Sequence, residues 1–191
     1  MKFKLLIPIV LALLFLAGCQ TPPSSQPTPT PSGTVSGPTP SADRGEPSPK
    51  FNLTAPDGSS VKFDPSDNPD EEIFMILFWS YRWDPNCKEL LARTSELHER
   101  YAPRGLNIIA VSYQEEPDGL RKFLATNSVP FEVAVGTEAT YQRFELNTIP
   151  TSILVDSGGR IVERWSGYYT TEELAETITP YLPGRSGNSE Q

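Results

Sequence analysis

Residues Ile73 to Trp79 read Ile-Phe-Met-Ile-Leu-Phe-Trp, seven apolar side chains without a break. A strand with one wet face alternates apolar and polar residues. An unbroken run this short therefore predicts a central strand buried on both faces. On its C-terminal side, Pro85 to Tyr101 reads as a helix, with Leu90, Leu91, Leu97 and Tyr101 along its inner side and Pro85 in its first turn. On its N-terminal side, Phe51-Asn52-Leu53 and Val61-Lys62-Phe63 flank Ala55-Pro56-Asp57-Gly58, the pattern of strand, turn and strand, and residues 64–70 form a loop.

Further along, Leu106 to Ser112 predicts a second buried strand and Pro117 to Thr126 a helix with Leu120, Phe123 and Leu124 inward. Phe131 to Val135 is a short strand and Thr137 to Phe144 a short helix. Thr151 to Asp156, the turn Ser157-Gly158-Gly159-Arg160, and Ile161 to Trp165 form a hairpin. Thr170 and Glu173 have the spacing of a capping box and open a last helix that runs to Tyr181. The order is β-hairpin, β, α, β, α, short β, short α, β-hairpin, α. This is an α/β arrangement with a central mixed sheet flanked by helices. No internal repeat is visible.

The 191 residues carry 16 Lys and Arg against 24 Asp and Glu, a net charge of -8. Such a surface repels phosphate backbones and anionic membranes, so no nucleic-acid partner is expected and membrane attachment must be apolar or covalent. Lys2 and Lys4 precede an apolar run, Leu5 to Ala17, which has signal-peptide length and is short for a membrane span. It closes on Leu16-Ala17-Gly18-Cys19, which resembles the lipobox of bacterial lipoproteins. That resemblance implies a leader over residues 1–18 and a diacylglyceryl group on Cys19; an ordinary cleaved signal with a chance cysteine is the alternative. Several acyl chains hold a protein firmly on a membrane. The expected location is the bacterial cell envelope, with the domain outside the cytoplasm.

Residues 20–49 are rich in Pro, Ser, Thr and Gly and nearly free of aliphatic side chains. Such a stretch cannot offset the entropy of ordering, and it reads as a semi-extended tether. Residues 19–49 are thus the lipidated cysteine and linker, residues 50–182 the folded domain, and residues 183–191 a disordered tail. With Cys19 acylated, Cys87 is the one free thiol of the two cysteines.

The element order and several segments together resemble the thioredoxin superfamily, in particular its TlpA/ResA-like membrane-anchored thiol–disulfide proteins. Phe51 to Gly58 resembles the family's opening strand and turn, Phe78-Trp79 the end of its central strand, and Gly105 to Ser112 its second core strand. Ile149-Pro150-Thr151, Leu154-Val155-Asp156 and Gly159-Arg160-Ile161 resemble the cis-proline loop, the next strand and its turn. The resemblance implies a thioredoxin-like fold and a cis bond before Pro150. It also implies a loop, Ile149 to Thr151, that faces the redox site and binds extended peptide through its backbone. Trp83 and Tyr81 would form an aromatic rim, with Trp79 in the core. A trans proline opening a strand is the plainer alternative for Pro150.

At the redox motif the sequence departs from that pattern. Where the family has Trp-Cys-x-x-Cys, this chain has Trp83-Asp84-Pro85-Asn86-Cys87, with one extra residue between Phe78 and Trp83. Asp84 replaces the first cysteine and Cys87 keeps the second. Disulfide exchange begins with an exposed thiolate at a helix N-terminus, and a carboxylate cannot take that part. A negative charge beside Cys87 also disfavours its thiolate, more than the helix dipole favours it. Leu77, where thioredoxin often has an Asp, removes a proton acceptor. The sequence therefore predicts single-thiol chemistry at most, with an exported client or thiol partner. A non-catalytic binding module is the alternative. Read without a gap, residues 78–87 also resemble peroxiredoxins, which would make Cys87 the peroxide-attacking thiolate. Ser80 and Asp84 then replace the family's Pro and Thr, and Thr148-Ile149-Pro150 lacks its Arg.

Other candidates read more plainly. Asp84 before Pro85 suits a helix N-cap, and Glu89 a first-turn acid. Arg82 is a candidate partner of Asp84, or has none. His98, in Ser-Glu-Leu-His-Glu-Arg, reads as solvent-exposed. No metal site and no cofactor is expected from one His, one free thiol and scattered acids.

Overall fold

The computed structural model describes residues 45–68 and 72–183. The leader, Cys19, the tether to residue 44 and the tail from residue 184 lie outside the described residues. So does the end of the expected 64–70 loop.

Strands β1 (Phe51–Thr54), β2 (Ser60–Phe63), β3 (Ile73–Trp79), β4 (Leu106–Tyr113), β5 (Glu132–Gly136), β6 (Thr151–Val155) and β7 (Ile161–Ser166) form one sheet in the order β2-β1-β5-β4-β3-β6-β7. Helices α1 (Cys87–Tyr101), α2 (Pro117–Leu124), α3 (Glu138–Arg143) and α4 (Thr171–Ile178) cover it. The sheet is mixed: β4 runs parallel to β3 and β5, whereas β6 is antiparallel to both β3 and β7.

The apolar run of β3 lies at the centre because both its faces are buried. Ile76 and Phe78 pack with Phe51, Phe63, Val111, Tyr141 and Phe144 on one side. Met75, Leu77 and Trp79 point the other way, toward Leu97 and Ile178 in one cluster and Leu90, Leu91 and Leu120 in the next. The period-2 alternation of a strand thus feeds two cores from one run. The core surrounding β3 fixes the height at which the strand ends, and that sets the loop after Trp79.

Three helix ends differ by two residues or more from the expectations. Helix α1 begins at Cys87 rather than Pro85, with Asn86 as N-cap and no side-chain cap. Asp84 instead accepts the Asn86 N–H at 2.8 Å, closing a turn one step before the helix. Helix α2 ends at Leu124, and Thr126 and Asn127 turn back onto the carbonyls of Phe123 and Leu124. Helix α4 ends at Ile178 and tightens into a 3-10 turn over Thr179–Tyr181, because Pro180 has no N–H to continue the ladder. The capping box of Thr170 and Glu173 is formed in both directions.

Residues 45–49, read from sequence as linker, are ordered against the domain. Gly45 N–H donates to Ile161 at 2.6 Å, Ile161 N–H to Glu46 at 2.9 Å, and Ser48 N–H to Gly159 at 2.9 Å. The β6–β7 turn leaves these backbone groups open, and a Pro- and Ser-rich segment satisfies them without needing a core of its own. Among the described residues, no helix is long and apolar enough to cross a membrane.

Candidate functional site

The site forms where β3 stops. Ser80, fully buried, donates through Oγ to Glu115 Oε1 at 2.5 Å and accepts the N–H groups of Arg82 and Trp83, each at 3.2 Å. Arg82 N–H also reaches Glu115 Oε1, at 3.4 Å. Glu115 follows β4, and Gln114 before it has a φ of 44°, in the left-handed region. The buried carboxylate and serine hold the turn between β3 and α1 from beneath. Glu115 Oε2 has no partner among the described residues.

That turn carries Asp84 inward and Trp83 outward. Asp84 is 5 % exposed, and Trp83 70 %. Asp84 Oδ1 accepts from Asn86 N–H and from the phenol of Tyr168, and its Oδ2 is buried without a partner among the described residues. Cys87, only 4 % exposed, opens α1 and packs with Leu77, Trp79, Leu90, Leu91 and Leu120. Its N–H donates to the Asp84 carbonyl at 3.3 Å. Burial pushes the Cys87 thiol above its ordinary pKa and the Asp84 carboxylate adds to the rise, while Lys88 opposes both. Both effects disfavour the thiolate, the form that attacks a disulfide.

The second half of the site comes from the β6–β7 hairpin. The Ile149–Pro150 peptide is cis. Thr151 pairs with Phe78, so the 148–151 loop lies at the sheet end from which residues 80–86 depart. Thr151 Oγ1 donates to the Thr148 carbonyl at 2.7 Å, and Gly167 N–H to the Pro150 carbonyl at 2.9 Å. The latter bond ties the proline loop to the segment that carries Tyr168.

The structure thus brings Asp84 and Cys87 together and puts Ile149, Pro150 and Thr151 at the same sheet end. No hydrogen bond or ring contact joins Trp83 to residues 149–151 among the described residues. Tyr81 is half-buried and stacks on Phe123 with centroids 5.1 Å apart, and Trp79 is core. Glu89 pairs with Arg93 along α1. His98 is half-buried, with its ring edge-on to Phe131 at 5.9 Å, and burial lowers its pKa. This corrects the exposed placement: the helix face that carries His98 meets the residues leading into β5. Among the described residues, no three His, Cys, Asp or Glu side chains gather as a metal site.

Sequence reasoning missed Tyr168, Ser80 and Glu115. The available signals were weak: a serine closing an apolar run, an acid directly after a core strand, and an aromatic after Gly167.

A profile of the AhpC/TSA family matches residues 44–164. The thiol-disulfide oxidoreductase ResA of Bacillus cereus is 28% identical over 134 residues, which is 68% of this chain and 76% of that protein. The thiol:disulfide interchange protein HelX of Rhodobacter capsulatus is 26% identical over 131 residues, 68% of this chain and 72% of that one. Among solved structures, a DsbE-type thiol:disulfide interchange protein from Chlorobium tepidum superposes with a TM-score of 0.65 at 25% identity. The match covers 74% of this chain and 99% of that one. A second thioredoxin-family interchange protein from Chlorobium tepidum gives a TM-score of 0.63 at 18% identity, over 74% and 99% of the two chains, a likeness of fold.

Proposed function

This chain belongs to the AhpC/TSA family, and on that footing we propose that it is an exported thioredoxin-fold protein of the thiol–disulfide oxidoreductase kind that lacks a dithiol cycle. It is held on the membrane by lipid on Cys19, and its redox chemistry is limited to Cys87 as a single thiol. Its partner is an exported protein that lays an extended segment across Trp83 and the Ile149–Thr151 loop. Neither a metal nor an organic cofactor takes part.

One observation carries this reading. Asp84 stands where the dithiol pattern has its attacking cysteine, buried and hydrogen-bonded to Tyr168, beside a thiol that is itself buried. A resolving thiol without an attacking one can form a mixed disulfide with a partner but cannot release it by internal exchange.

The burial of Cys87 supports a second reading, in which the domain binds its partner and performs no redox step. Disulfide reduction separates the two. The assay takes the lipidated chain in detergent and follows insulin reduction by the native protein, Cys87→Ala and Asp84→Cys. Slow activity that disappears with Cys87→Ala supports single-thiol chemistry. No activity in either, with activity gained by Asp84→Cys, supports the binding module. Fast dithiol-type turnover by the native chain contradicts both. Rapid, Cys87-dependent consumption of peroxide favours instead the peroxide-reducing chemistry of the ungapped alignment.

A further inference from the structure

We infer that Tyr168 is a positioning residue: its phenol pins Asp84 across the mouth of the Cys87 pocket and so keeps this sulfur closed to electrophiles. The inference rests on the reading above, in which Cys87 is not an open nucleophile. It adds the element that keeps it so.

The geometry has three parts. The first is the closure itself. Cys87 opens α1 at the position that the resemblance gives to the second, more shielded cysteine, and it is only 4 % exposed. Leu77, Trp79, Leu90, Leu91 and Leu120 account for its inner walls. Asp84, three residues earlier, is itself buried and accepts the Cys87 N–H on its carbonyl at 3.3 Å, and Tyr168 donates its O–H to Asp84 Oδ1. The charged or titratable groups that act on the Cys87 thiol are Asp84 and Lys88.

The second part is the exposure of the bar against the fixity of its mount. Tyr168 is 40 % exposed, one of the two large apolar side chains left substantially in solvent among the described residues. Its segment is fixed at both ends: Gly167 N–H bonds the Pro150 carbonyl, and Thr170 begins α4 through its capping box. Gly167 has a φ of 95° and open space around the position a Cβ would take, so nothing packs against the pivot.

The third part is the dependence on Asp84. A phenol O–H needs an acceptor. A carboxylate supplies one, whereas a thiol or disulfide sulfur at the same place accepts weakly. The Tyr168 bond therefore exists because the attacking cysteine has been replaced. Asp84 Oδ2 remains buried and unpartnered among the described residues, so the Oδ1 bonds to Asn86 and Tyr168 hold the carboxyl group in place.

The test is the rate at which iodoacetamide alkylates Cys87, read by intact mass across pH 6.5–9.5, in the lipidated chain in detergent. It compares the native chain with Tyr168→Phe, Tyr168→Ala and Asp84→Asn. Tyr168→Phe keeps the ring and deletes the bond. It is expected to speed alkylation about fivefold, the factor that one hydrogen bond of ordinary worth implies. Tyr168→Ala is expected to speed it further. Asp84→Asn keeps an acceptor for the phenol and removes the charge. It is expected to move the pH profile to lower pH while leaving the limiting rate at high pH low, a separation that loose packing alone would not produce. Equal rates for the native chain and Tyr168→Phe overturn the latch and leave the proposed function standing. If Tyr168→Ala fails to fold, Tyr168→Phe still decides. Native Cys87 alkylating as fast as a free thiol, together with fast disulfide reduction that depends on it, removes the proposed function and the latch with it.

Discussion

On the proposed reading, Asp84 changes the chemistry of this fold by one side chain. An exposed thiolate in the turn before α1 could attack; a carboxylate there can only accept hydrogen bonds and repel a second negative charge. The raised pKa of Cys87 follows from burial first and Asp84 second. Below this turn, Ser80 satisfies three groups at once: the Glu115 carboxylate and two backbone N–H groups. Ser80→Ala is expected to lower stability by about 2 kcal/mol, since it leaves buried polar groups without a partner. The midpoint of urea unfolding measures this. Tyr141 provides a pH test. Burial raises its pKa, followed by the charges of Tyr113 and Glu115, and its O–H donates to the Val111 carbonyl at 3.1 Å. A group whose folded pKa lies above its unfolded value of about 10 contributes stability that is complete below that pH and lost above it. Tyr141→Phe is therefore expected to cost about 1 kcal/mol at neutral pH. It should also flatten the loss of thermal stability above pH 10, as followed by melting temperature against pH. Asp84, Cys87 and Pro150 were legible in the sequence because a motif places them within a few residues of a recognisable string. Tyr168 and Glu115 were not. Their partners lie 84 and 35 residues away, and nothing local in the chain encodes such a meeting.

The strands were the legible elements. The run at β3 has no polar residue to suggest a wet face, and the structure buries it on both. The helix ends were less so, because each is decided by one hydrogen bond that competes with another. Asp84 was read as the cap of α1, and its short side chain instead closed the preceding turn, so α1 began two residues later than Pro85. Pro180 is visible in the sequence, but its effect on the last turn of α4 depends on where the ladder has already weakened. Gly136 shows a different constraint. A Cβ there would lie 2.6 Å from the Ser112 carbonyl oxygen and 2.7 Å from the Tyr141 ring. Backbone cannot move aside within a paired strand, so Gly136→Ala is expected to destabilise by about 3 kcal/mol through overpacking at the β4–β5 pair. The same denaturation experiment reads it, with an unchanged slope showing that the unfolded state is unaffected.

For the whole molecule, the sheet serves as a bracket. β3 delivers the residue 80–86 turn and β6 begins beside it with the proline loop. The β7–α4 connection then returns Tyr168 over both. This α/β arrangement was readable from element order; the seating of residues 45–49 on the β6–β7 turn was not, since their composition resembles the tether before them. The most direct measurement of the single-thiol account is the covalent state of both cysteines in the chain isolated from membranes, by acid quenching, alkylation in denaturant and peptide mass analysis. The account predicts acyl chains on Cys19, a reduced and alkylatable Cys87, and no internal disulfide. A peptide in which an unacylated Cys19 is disulfide-linked to Cys87 would contradict it.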